Sequence, residues 1–286
     1  MLANHPLLEV VAPDPFARPS LPRVRLRAGA TGDELVFERL GYADAALASF
    51  ETFSGLQRDG VIPAGCRFQV SLPPPATVTT VFVVPEDRAA VGPAYEAALL
   101  GELDAIAAAI PHDRLAIQWD VVIGGWERAV ATDDERLRRA VLDPLARYGA
   151  RVPADVELGY HLCFGDYQGR HPTERADAAG AATLASALAA VVGRPIQWIH
   201  LPVPRGRADD AYFAPLRELR LGPETELYLG LVHLAEGVEG TRRHVAAAQR
   251  AVPRFGVATE CGLGRQPPER IPELLRLHAE VASPLA

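Results

Sequence analysis

A histidine and a cysteine two residues apart, His161 and Cys163, close a short apolar run that begins at Glu157. Alternate side chains of a β-strand point to one face, so both can reach a single point at the strand's end. Neutral imidazole and thiolate are ligands that zinc favours. A further cysteine, Cys261, follows an apolar run over residues 255–260. His161, Cys163 and Cys261 thus make a three-ligand set with a fourth position left for water or substrate. That is the layout of a catalytic rather than a structural zinc site, and Zn2+ is the expected cofactor. His200 closes the run 196–200 and is a candidate fourth ligand, one that departs when substrate binds. The competing expectation is that each cysteine is a small buried hydrophobe and that His200 only bonds backbone.

Other groups able to do chemistry also follow apolar runs. Asp120 follows the run 115–119 and His233 follows the run 226–232. Trp119, Trp126, Trp198 and Tyr167 stand at or beyond strand ends, where they either stack on a flat ligand or pack the rim. Gly124-Gly125 suggests a mobile loop. Cys66 opens a strand rather than closing one and is expected in the core. His5, His112, His171, His244 and His278 fall in the arm, loops or helices and are expected at the surface.

The elements that would position these groups alternate. Strands are expected over 23–27, 66–70, 115–119, 157–163, 196–200, 226–232 and 255–260. Helices are expected over 42–59, 93–110, 133–148, 173–192, 210–219, 240–251 and 268–281, with a Pro73-Pro74-Pro75 loop after the strand 66–70. Such alternation means a parallel sheet covered by helices. The fold class is α/β, and the expected architecture is a single (β/α)8 barrel over residues 23–286 with an N-terminal extension. Residues 1–22, rich in proline and without periodicity, read as an arm, and 23–27 as part of an added hairpin. An open doubly wound sheet is the alternative, but no GxGxxG turn follows the first strand. Barrel enzymes place their chemistry where strands end, which is where His161, Cys163, His200, Asp120, His233 and Cys261 fall.

Composition narrows the partners. The chain has 286 residues, 49% hydrophobic, with a net charge of -7. Mild acidity argues against a nucleic-acid partner, and Arg205-Gly206-Arg207 is too short a basic cluster to reverse that. Residues 1–11 lack the features of a secretory leader, and the longest uncharged stretch, 178–193, is too short to span a bilayer. Three widely spaced cysteines do not form a disulfide framework, so a cytoplasmic protein without membrane partners is expected.

Taken together, the motifs resemble the cobalamin-independent methionine synthases. His161-Leu-Cys-Phe-Gly-Asp-Tyr167 is similar to that family's H-x-C-[YF]-x-D-[FY] segment, and Glu260-Cys-Gly-Leu263 to its D-C-G-L segment. Leu115-Ala-Ile-Gln-Trp-Asp120 and Leu231-Val-His233 resemble two further strand ends, so the likeness covers about residues 110–283. The resemblance implies a zinc-dependent methyltransferase barrel, in a wider group that includes tetrapyrrole decarboxylases. Its substrates would be a small-molecule thiol acceptor and a methyl donor, either a methyl-folate or another methyl carrier. It implies zinc ligation by His161, Cys163 and Cys261, with His200 where the family has a glutamate. It implies that Asp120 binds a substrate amino group, with Gln118, Trp119 and Ser71 beside it as substrate contacts. It also implies that His233 donates a proton to the leaving group, with Asp166 orienting it. The family's early D-G-E segment has no counterpart here. Two rival functions remain: a metal-free lyase or decarboxylase using Arg205 and Arg207, and a non-catalytic metal-binding protein.

Overall fold

A computed structural model describes residues 2–13, 21–122, 126–165 and 176–282. The chain divides into two compact units, one of residues 1–120 and 151–157, the other of residues 121–150 and 158–286.

The first unit opens with an antiparallel hairpin. Strands β1 (Leu8–Val11) and β2 (Arg23–Leu26) pair with Leu8 opposite Leu26. Part of the stretch expected as an arm is therefore a strand, and the run expected over 23–27 is its partner. Helix α1 (Tyr42–Arg58), strand β3 (Phe68–Leu72), helices α2 (Pro75–Phe82) and α3 (Arg88–Ala109) and strand β4 (Leu115–Val122) follow. β3 and β4 are parallel, with Phe68 opposite Leu115 and Leu72 opposite Trp119. Helix α2 occupies ground expected to be loop. Pro75 takes its first position, where the missing N–H has no intrahelical partner to lose, so the proline run starts a helix instead of preventing one. Helix α3 begins before Pro93, which lies inside it. Cys66, expected in the core, is exposed.

The second unit runs through α4 (Trp126–Val130), α5 (Glu135–Arg151), β5 (Glu157–Cys163) and α6 (Ala179–Val191). It continues with β6 (Trp198–Pro202), α7 (Asp210–Phe213), β7 (Glu226–Val232), α8 (Gly237–Gln249), β8 (Gly256–Thr259) and α9 (Ile271–Ala282). β5, β6, β7 and β8 pair in chain order, each pair parallel, with His161 opposite His200 and Leu229 opposite Val257. Among the described strands of this unit the order does not reverse, unlike the doubly wound arrangement with its topological switch point. β5 is buried from Leu158 to Cys163, which is why it reads as a continuous apolar run and not an alternating one.

The fold is α/β with a six-stranded parallel sheet. The closed eight-stranded barrel expected from the sequence is not shown: among the described residues the parallel sheet has six strands. Strand–helix rhythm fixes which strands are neighbours, but closure depends on edge strands that periodicity does not count. Among the described residues no helix is long and apolar enough to cross a membrane.

One buried carboxylate holds the start of α1. Glu102, on α3, accepts hydrogen bonds from the backbone N–H groups of Leu40, Gly41 and Ala43. Burial opposes its ionisation, but these donors and the nearby Arg39 outweigh that and keep its pKa below the ordinary value. Glu102→Ala is expected to cost about 1–3 kcal/mol in urea unfolding at pH 7, because three donors lose their acceptor. The depressed folded pKa makes the wild-type advantage complete above the unfolded value of about 4.3, and the advantage disappears as pH falls through the folded value. An unchanged midpoint at pH 7 would show that water serves the helix end equally well.

Candidate metal centre

His161 and Cys163 lie on β5 at positions i and i+2, as the spacing requires, and both are buried, with 2% and 8% of their surface exposed. Cys261 follows β8. One ligand atom each from His161, Cys163 and Cys261 lies within 4.8 Å of the others, and the group is able to hold a metal ion. The two sulfurs are 3.9 Å apart. A disulfide would bring them to about 2.05 Å, and neither cysteine is in a disulfide among the described residues. Two thiolates on one tetrahedral zinc, each about 2.3 Å from it, stand about 3.8 Å apart. Both nitrogens of the buried His161 ring lack a hydrogen-bond partner among the described residues. Leaving a buried imidazole so is costly, and an ion is the partner that two sulfurs beside it would share.

Local backbone sets this geometry. Gly165 has a φ of +79°, open to glycine at little cost, and the turn brings its N–H to 3.3 Å from Cys163 Sγ. On the other side, Thr259 Oγ1 donates to the Cys261 carbonyl at 2.8 Å and fixes the turn after β8. Gly230, on β7, lets that turn come close: a Cβ there would sit 2.7 Å from Glu260 Cα.

His200 is beside the group. It lies within β6 and not at its end, because the strand runs two residues later than its apolar pattern suggests. Its ring stacks on that of His161, centroids 4.5 Å apart and 19° from parallel. Burial, then the neighbouring His161, push its pKa well below the ordinary value, against a hydrogen bond to the Thr259 backbone. The ring is therefore neutral at pH 7, and Nε2 has no hydrogen-bond partner among the described residues.

His233 belongs to a different group, with Glu236 and His244. Its Nε2 lies 2.9 Å from the Val203 carbonyl, to which it donates. Burial lowers its pKa, while Glu260 and Glu236 work the other way. His244 was expected at the surface, yet only 1% of it is exposed. The signal was present: Gly240, Thr241, His244, Ala247 and Ala248 form a buried stripe at helical spacing on α8.

Ser71, Gln118 and Asp120 come together in the first unit. Gln118 Nε2 donates to Asp120 Oδ1 at 2.9 Å and to Ser71 Oγ at 3.3 Å. Asp120 lies within β4, not after it. Trp119 is fully buried in the core of that unit, so packing accounts for it. Asp166, Tyr167, Gly124-Gly125 and the ring of Trp126 lie outside the described residues.

Compared with protein-family models and with curated proteins, the sequence gives no significant match.

Gly230→Ala is expected to push the strand end that carries Cys261 and to weaken metal binding roughly 10–100-fold, the range typical of lost outer-shell support. Competition against a chromophoric chelator measures this. Wild-type affinity in the variant would mean that the Glu260 backbone is free to give way.

Proposed function

We propose that this protein transfers an alkyl group, a methyl group in the first instance, to the sulfur of a small-molecule thiol at a zinc site formed by His161, Cys163 and Cys261. The observation that carries the reading is the buried His161 ring, with neither nitrogen hydrogen-bonded among the described residues, beside two unlinked sulfurs. The sequence resemblance to cobalamin-independent methionine synthases supports the choice of reaction, since its two cysteine motifs supply all three groups. A His/Cys/Cys set suits zinc over harder ions. Zinc bound there would keep an incoming thiol deprotonated at neutral pH, where a free thiol with a pKa of about 8.5 is mostly protonated.

The chain's own residues do the rest. Three protein ligands leave one position for the acceptor. The Gly165 N–H donates to Cys163 Sγ and fixes its direction. His200, neutral and stacked on His161, shields that ring from water. In the transfer, a bond forms from the acceptor sulfur to the alkyl carbon, and the bond from that carbon to its carrier breaks. The electron pair leaves with the carrier, a methyl-folate or another methyl carrier, which takes a proton from solvent. The reading does not use His233 as the donor. That imidazole is held neutral by burial, and its Nε2–H is already committed to the Val203 carbonyl.

A second reading rests on His200. Its unpartnered Nε2 is available as a fourth ligand, which would close the site and make the protein a metal binder without catalysis. Cobalt substitution separates the two. An open site changes its visible absorption when a small thiol such as homocysteine is added, whereas a closed site does not. Cys163→Ala is expected to lose both the cobalt–thiolate bands and alkyl transfer from a methylated carrier to the thiol. Transfer that persists in Cys163→Ala, or that is indifferent to chelators, would remove zinc from the account.

A further inference from the structure

We propose that His233, Glu236 and His244, with Glu260 beside them, form a second site for a first-row divalent metal ion such as zinc. One ligand atom each from the first three lies within 4.8 Å of the others. The site draws on the end of β7, the turn after it and the second half of α8. The turn is built to bring the groups together. The His233 carbonyl accepts from the N–H groups of Glu236 and Gly237, and Gly237 has a φ of +61°. Gly240 leaves room for the Glu236 side chain to fold back over the helix, since a Cβ there would meet Glu236 Cβ at 2.4 Å. Glu236 Oε2 then faces His244 Nε2 at 3.0 Å.

The hydrogen bonds present leave ligand atoms over. Nε2 of His233 donates to the Val203 carbonyl, so Nδ1 carries the lone pair, 4.0 Å from Glu260 Oε2. A ligating histidine commonly has its other nitrogen bonded to a carbonyl in this way, which fixes the ring's tautomer and direction. Glu236 Oε1 accepts from the Gly206 N–H, and its buried Oε2 has His244 Nε2 as its neighbour at 3.0 Å, so one ion could be shared between these two atoms. His244 is almost wholly buried and turns Nε2 toward Glu236. Both imidazoles have lowered pKa values, with burial the largest cause, and neutral imidazole is the ligating form. Two imidazoles with carboxylates suit zinc, iron, cobalt or manganese and not calcium, which takes oxygen ligands. The ion would tie the end of β7 to α8, and, through Glu260, to the end of β8.

The proposal is independent of the alkyl-transfer reading, because it uses none of the three groups that bind the first metal. Its test is the stoichiometry of zinc taken up by the stripped full-length protein in equilibrium dialysis, with folding checked by circular dichroism. Wild type is expected to take up about two equivalents, and a Cys163→Ser/Cys261→Ser protein about one, from an N/O ligand set. Cobalt in that double variant should show no thiolate charge-transfer band. Adding Glu236→Gln or His244→Ala to it should abolish uptake. Should His244→Ala disturb folding, Glu236→Gln, at a partly exposed position, carries the test. A folded double variant that takes up no zinc, or one whose uptake is unchanged by Glu236→Gln, overturns the proposal and leaves an ordinary glutamate–histidine pair.

Discussion

Burying an imidazole without giving its nitrogens a partner is the constraint around which the second unit is arranged. His161 is held inside by β5, whose neighbours cover both of its faces. Polar groups in such places keep their hydrogen bonds or take an ion in their stead. Cys163 and Cys261 supply soft, polarisable sulfur on the same side, and the stacked His200 excludes water without offering a proton to either His161 nitrogen. The arrangement makes sense as a ligand set and poorly as ordinary core packing, for which a leucine would serve better.

The positions of the three groups follow from strand geometry and two glycines. Spacing by two on β5 sets His161 and Cys163 side by side. Cys261 comes from β8, separated from β5 by β6 and β7 in the sheet. Its reach depends on the register irregularity between β7 and β8, which falls between Leu229 and Val232, where Gly230 sits. A larger residue at Gly230 would meet backbone, which cannot rotate aside as a side chain can. Gly165 does the complementary work after β5, turning the chain so that an N–H faces sulfur.

Much of this was legible in the sequence because it rests on local pattern. The i, i+2 pair on an apolar strand, the cysteine after another strand, and the parallel order of β5 to β8 all follow from short-range periodicity. The rest depended on what periodicity does not carry. His200 lies inside β6 because strand boundaries drift by a residue or two when Gln197 and Pro202 flank the apolar stretch. Sheet closure depends on partners far along the chain, so rhythm alone suggests a barrel without fixing its edges, and six parallel strands are described. His244 was expected at the surface because it falls in a helix, and Glu236 precedes that helix with no pattern to mark it. The three-and-four spacing of Gly240, Thr241, His244, Ala247 and Ala248 held the correction. Cys66 shows the converse, a residue type usually buried that here lies outside.

Glu260 and Cys261 are adjacent in the chain, yet their side chains serve different neighbourhoods, one beside His233 and one beside Cys163. A single peptide unit therefore joins the two. Thr259 Oγ1 braces that short segment through the Cys261 carbonyl. The planar peptide between them fixes how far apart the two side chains can stand, so the two groups of polar atoms share one short piece of backbone.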